Sequence, residues 1–136
     1  DLEDLRTRVR ACLEAAATAT GTTVDITVTG YVFESLEPHD ALVATFTEAC
    51  EAIGRPFCPD PRGDELGGST DFGNVSQRIP GLHADMAVHS YPAVNHQHDF
   101  AAACIAPEGD KTMLDAAKAL ALTALAVGAD PELLTR

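Results

Sequence analysis

The 136-residue chain has no tryptophan, two tyrosines and five phenylalanines, so few aromatic rings are available to its core. Positive charge is also scarce: nine Lys and Arg against 21 Asp and Glu leave a formal net charge of −12. That balance argues against nucleic acid or an anionic membrane surface as a partner, because both reward clustered basic residues. Only Arg6, Arg8 and Arg10 lie close together, interleaved along a helical stretch. No apolar run reads as long enough to span a bilayer, and no charged-then-apolar leader opens the sequence. The motifs CxxC, HExxH, GxSxG and a Glu-Glu pair are all missing. Zinc hydrolysis takes about three protein ligands and a carboxylate base, so these residues alone are not expected to form a competent catalyst. Serine catalysis lacks its elbow and its partners. Cys12, Cys50, Cys58 and Cys104 carry no metal-type spacing and read as buried free thiols, which points to a reducing, cytoplasmic setting.

What is present belongs to a folded domain: 46% of residues are hydrophobic and 22% charged. Leu2, Leu5, Val9, Cys12, Leu13 and Ala16 recur at helical spacing, predicting a helix over 2–19 that Gly21 ends in a left-handed cap. In TTVDITVTGYVF, Val24, Ile26 and Val28 alternate with polar residues, the pattern of a half-buried strand. A second helix is predicted over 40–53, with Leu42, Val43, Phe46, Ala49, Cys50 and Ile53 on its apolar face. RPFCPDPRGDELGG is rich in Pro and Gly and reads as loop, and LHADMAVH as a short strand. Helices follow over about 98–105 and 110–127, the latter with Met113, Ala117, Leu120, Ala121, Ala124 and Leu125 aligned. This order implies an α/β or α+β fold. The opening residues carry no initiator Met and enter a helix at once, so the chain is expected to be a piece of a larger protein.

The reactive residues cluster at two non-periodic spots, GGSTDFGNVSQRIPGLHADMAV (67–88) and NHQHDF (95–100). Adjacent glycines let a backbone approach a ligand and offer N–H groups to an anion such as a carboxylate. Ser69, Thr70 and Asp71 serve equally well as caps of a short helix. His39 falls at a helix start and reads as exposed, while His83 and His89 lie six residues apart on or beside the short strand and suit structural roles. His96 and His98 sit in a polar loop leading into a helix, where an imidazole can be held at a fixed angle for a metal.

Taken in order, these two stretches resemble the closing part of the zinc-dependent metallopeptidases that include aminoacylases, carboxypeptidase G-type enzymes, dipeptidases and aminobenzoyl-glutamate hydrolases. Gly-Ser-Thr-Asp-x-Gly-Asn-Val-Ser, Ile-Pro-x-Leu-His and the later Asn-His carry the resemblance, which is greatest to the aminobenzoyl-glutamate branch. RACLEAAATATGTTVDITVTGYVF is similar to the last helix and strand of the lid these enzymes insert. The resemblance implies part of a three-layer α/β catalytic domain over 37–136 and the end of an α+β lid over 1–36. It implies two zinc ions in the parent, of which His96 supplies one ligand, with His98 as rival. It implies that Gly68, Ser69 and Thr70 line the pocket for a small amide or dipeptide, that a longer parent is a homodimer, and that no catalytic residue lies here. Asp71 and Asn74 then read as scaffolding. The contrasting expectation is a small non-catalytic α/β binding or assembly module with structural histidines and an acidic, solubilising surface.

Overall fold

The computed structural model describes residues 1–57 and 68–135; Cys58, Gly67 and most of the segment read as a Pro/Gly loop lie outside them. The chain divides into two compact units, Asp1–Val32 and Phe33–Arg136, each taken by itself below.

In the first unit α1 runs Leu2–Thr20. The Asp1 carboxylate accepts from the Glu3 N–H at 3.1 Å, and Gly21 (φ 65°) turns left-handed to close the last turn, as its position after the apolar periodicity predicts. No residue of α1 is buried: Leu2, Leu5, Val9 and Leu13 are all at least 45% exposed. The helical period is therefore present without a partner for its apolar face within this unit. The predicted strand that follows does not form. Val24 and Val28 are exposed and only Ile26 is half-buried.

The second unit is built on α2 (Asp40–Ala52), α3 (Phe72–Ser76), α4 (His98–Cys104) and α5 (Pro107–Ala129), closed by a 3-10 turn over Pro131–Leu134. Helix α5 packs chiefly on α2. The core is small: Phe46, Ala49, Cys50 and Ala119 are buried together, with Ile53, Leu82 and Met86 packed around them. The α2 face read from the sequence holds, except that Val43 is exposed. In α5 the opposite face is buried from the one its large residues predict. Gly109, Thr112, Asp115, Ala119 and Thr123 go inward, while Met113 (62%), Leu120 (58%) and Leu125 (70%) stay exposed. Small inward residues let α5 lie close to α2, and the buried polar groups are satisfied. Thr112 donates to the Ala87 carbonyl at 3.0 Å and Thr123 to the Ala119 carbonyl at 2.8 Å.

Two expectations are thereby corrected. Among the described residues there is no strand, so the structure is helical and not the three-layer α/β arrangement with an α+β lid element. Alternation assigns side chains to two faces, but a strand exists only where a backbone ladder forms, and the described residues of 22–32 and 82–89 form none. In 82–89 the Ala87 carbonyl goes instead to Arg55 (2.9 Å) and Thr112. Secondly, α5 is by length and composition apolar enough to cross a membrane, with a mean hydropathy of 1.4, contrary to the reading that no run is. This helix carries an ion-paired Asp115 on its packed face.

Asp115, 8% exposed, gathers three cations: Lys111 Nζ at 2.7 Å, Arg55 Nη1 at 3.6 Å and Lys118 Nζ at 3.6 Å. The Lys111 hydrogen bond first, then the Coulombic pull of Lys111, Lys118 and Arg55, holds its carboxyl below the ordinary value of 3.8 against the opposing effect of burial. A depressed carboxylate stabilises the fold fully above its unfolded value and stops doing so as pH falls through the folded one. Asp115→Asn is accordingly expected to lower the thermal midpoint at pH 7 and to flatten its decline below about pH 4. Parallel acid limbs in melts of the two proteins would remove Asp115 from this role.

The thiols also differ from expectation. Cys50 is buried, and desolvation raises its pKa against a partial lowering by Arg55, but Cys12 and Cys104 are exposed. Cys58 lies outside the described residues.

Candidate functional site

The glycine-rich turn leads straight into α3. Gly68 and Ser69 are exposed, and a Cβ placed on Gly68 would meet nothing within 4 Å. The Thr70 hydroxyl accepts from the Phe72 N–H at 3.2 Å, so Thr70, and not Asp71, supplies the side-chain hydrogen bond at the start of α3. Gly68 and Ser69 are thus exposed beside a half-buried Thr70 anchored on α3.

The anchor is the rest of the motif. Asn74 Oδ1 accepts from the Glu34 N–H (3.2 Å), and Ser76 Oγ accepts from the Glu37 N–H (3.0 Å) while donating to the Gly73 carbonyl (2.9 Å). Gln77 donates to the Ser35 carbonyl (2.9 Å), and Arg78 grips the Glu34 carboxylate through both terminal nitrogens at 2.6 and 3.2 Å. That grip lowers the Glu34 pKa and raises that of Arg78. Residues 74–78 therefore satisfy, with side chains, the backbone of 34–37 that a sheet would satisfy with a ladder. Asn74 is scaffolding, in agreement with its sequence reading. Ser76, Gln77 and Arg78 were not singled out in the sequence, although a hydroxyl, an amide and a guanidinium in one helical turn are a sign of such a clamp.

Phe72 leaves α3 toward His83, with ring centroids 5.6 Å apart and planes tilted by 50°. Gly81 makes the space: a Cβ there would lie 2.8 Å from Phe72 Cζ. The His39 N–H donates to the Gly81 carbonyl at 2.9 Å and tethers the same segment to the start of α2. His39 itself is half-buried rather than exposed. Its Nε2 lies 3.1 Å from the Thr135 carbonyl, and its Nδ1 is buried without a partner.

His96 and His98 lie together at a second place. His96 adopts φ 68°, a left-handed conformation uncommon for a residue with a Cβ and frequent at ligand-holding positions. Its turn is pinned where the Val94 N–H donates to Gln97 Oε1 at 3.2 Å, and α4 begins immediately after at His98. His96, Gln97, His98, Phe100 and Ala101 line an open hollow of about 580 Å³. Both imidazoles are exposed. Gly68, Ser69 and Thr70 are not among the residues lining it.

Neutral imidazole is the right donor for zinc, so His96 and His98 fit as one or two ligands of a set. Among the described residues no three His, Cys, Asp or Glu side chains group as a metal site. The described residues therefore offer part of a coordination shell at most.

The glycine-rich turn with its clamp and the hollow at His96 and His98 are separate features of this unit, and comparison with known sequences finds similarity to curated dipeptidases. The chain is 36% identical over 135 residues to the Xaa-Arg dipeptidase of Mus musculus, and equally to that of Homo sapiens. Each alignment takes in 98% of this chain and 31% of the relative, so the chain spans about a third of the length of the curated relatives it matches. No family model matches the chain, and no solved structure does.

Proposed function

We propose that this chain is part of a metal-dependent amidohydrolase that cleaves the amide bond of a small dipeptide or N-acyl amino acid. The observation that carries this reading is the near-complete alignment of the chain with the Xaa-Arg dipeptidases. In it, His96 holds one of two zinc ions, its angle set by the left-handed turn and by α4 behind it. Zinc, when bound, polarises the scissile carbonyl and activates water. The backbone N–H groups of Gly68, Ser69 and Thr70 receive the carboxylate end of the substrate, and the 74–78 clamp keeps that turn from yielding. A net charge of −12 favours a cationic substrate such as a dipeptide ending in arginine. Residues 1–36 form a separate, dimer-supporting region of the longer enzyme and 37–136 one side of its catalytic region, in the cytoplasm. The 136 residues alone are inactive, because one imidazole cannot replace a coordination shell.

The test uses the protein expressed from its complete reading frame, purified with zinc and assayed for release of arginine from dipeptides. His96→Ala is expected to lower kcat/KM by more than about 100-fold and to reduce bound zinc, since a direct ligand matters more than its outer partners. His98→Ala is expected to lose less. An active wild type whose His96→Ala variant keeps both activity and metal content would overturn the assignment of His96.

A further inference from the structure

Arg55 is placed by the way α2 ends. Gly54 is left-handed there (φ 77°), and the Arg55 N–H returns to the Cys50 carbonyl at 2.8 Å. The Arg55 side chain, 17% exposed, reaches α5. Its guanidinium donates to the Ala87 carbonyl at 2.9 Å and to Thr112 Oγ1 at 3.3 Å, with the Asp115 carboxylate 3.6 Å away. Thr112 donates to the same Ala87 carbonyl at 3.0 Å. A guanidinium holds several N–H groups in one plane, so a single side chain can grip a carbonyl, a hydroxyl and a carboxylate together.

Ala87 is where the segment carrying His96 begins. Met86, just before it, packs against the core. Beyond it the Ser90 hydroxyl donates to the Ala93 carbonyl at 2.9 Å and the Ala93 N–H to the Ser90 carbonyl at 2.8 Å, closing one turn. The Val94 N–H closes the next on Gln97 Oε1, and His96 is left-handed within it. Helix α4 then starts at His98 and abuts α5 at Gly109, where a Cβ would overlap the Cys104 carbonyl oxygen. Residues 88–97 are therefore two closed turns in series, anchored at both ends on α5. A short segment fixed at its ends and closed within has few conformations left, so the angle at which His96 leaves it depends on each anchor.

We propose that Arg55 is a positioning residue for His96, acting through the Ala87 carbonyl that fixes the near end of its loop. This rests on the amidohydrolase reading for what His96 holds, but the arrangement of the loop needs no metal. Partners that orient a metal ligand typically change metal affinity by roughly 10- to 100-fold, and Arg55, which acts through a loop, belongs at the lower end.

The complete protein, purified with and without zinc, carries the test. Arg55→Met keeps a long stem and removes every donor. Without zinc, amide exchange in peptides spanning 88–97 is expected to quicken about tenfold in this variant. With zinc, it is expected to lose metal to a chelator about tenfold more readily, with kcat lowered and KM little changed. Thr112→Val removes only the second donor to Ala87 and should move both readouts the same way by less. Lys111→Ala is the comparison: it takes the nearest cation from Asp115 and leaves the Ala87 carbonyl held, so it should lower the thermal midpoint and alter neither readout. Exchange in 88–97 that Arg55→Met leaves unchanged, or that Lys111→Ala quickens equally, overturns the assignment and makes Arg55 a residue of the fold alone. Quickened exchange with unaltered zinc retention, in a protein that loses zinc on His96→Ala, also overturns it and keeps the hydrolase reading. A His96→Ala variant that keeps its zinc sinks the metal reading by itself, and the exchange rates still decide whether Arg55 holds the loop.

Discussion

Gly73→Ala is expected to melt the Phe33–Arg136 unit roughly 10 °C or more below the parent. A methyl group at position 73 would overlap the Glu34 carbonyl oxygen and come within 2.9 Å of the Glu34 carbonyl carbon and 3.3 Å of that of Ser35. All three are backbone atoms, and the segment they belong to is held by Asn74, Ser76, Gln77 and Arg78. It cannot move aside without loosening several hydrogen bonds at once. Overpacking of a rigid site costs about 1–3 kcal/mol, and a clamped backbone puts this case at the upper end. Alanine's better helix propensity returns at most about 1 kcal/mol, so the steric effect wins. The same shift would displace the turn at 68–70, whose anchor is α3. Thermal melts followed by circular dichroism measure the first consequence. A variant that melts with the wild type would mean that 34–37 does not dock on α3.

Gly109→Ala sets the same two effects against each other where propensity has a stronger claim. Position 109 lies in the first turn of a 23-residue helix, and propensity alone predicts a gain of about 1 kcal/mol. The Cβ, however, would overlap the Cys104 carbonyl oxygen, with the Ala103 carbonyl oxygen 2.8 Å away. Those carbonyls end α4, so Gly109 is what allows α4 to abut α5. A net loss of about 1–2 kcal/mol is expected, together with a change in the angle at which α4 presents His96 and His98. Gly128→Ala is the control: its Cβ would meet nothing within 4 Å and it lies in the same helix, so it should gain roughly 0.5 kcal/mol. Urea unfolding measures both. If Gly109→Ala stabilises the protein as Gly128→Ala does, α4 is not seated on α5 as described.

The helices were legible because each is a local matter. The apolar spacing of α1 and α2, Gly21 after the first and the break before Asp40 all act within a few residues, and the observed bounds fall within a residue of those predicted. Helix α5 starts earlier than read, since Pro107 at its first position begins the helix rather than preceding it. Its buried face was misread for another reason. Two stripes run along it, and size favoured Met113, Leu120 and Leu125, but Ala119 packs in the core with α2 and Gly109 admits the end of α4, with satisfied polar residues on the same stripe. The candidate site could be read from the sequence only as residue types in order, Gly68, Ser69 and Thr70 and then the imidazoles at 96 and 98, whereas the scaffold role of Asn74 rests on its hydrogen bond to Glu34. The contact of Phe72 with His83 was not, because eleven residues of chain give no angle between two rings.

By itself the sequence determined where α1 and α2 begin and end, which residues carry reactive groups, and an acidic net charge. These follow from backbone propensity, capping and charge, which act over a few residues or add without regard to position. Only the tertiary structure decided which face of α5 is inward, that the two alternating segments form no strand, and that residues 74–78 clamp 34–37. Each of those depends on what lies across the gap from a segment, and hydrogen bonds and close packing are made between surfaces rather than along a chain.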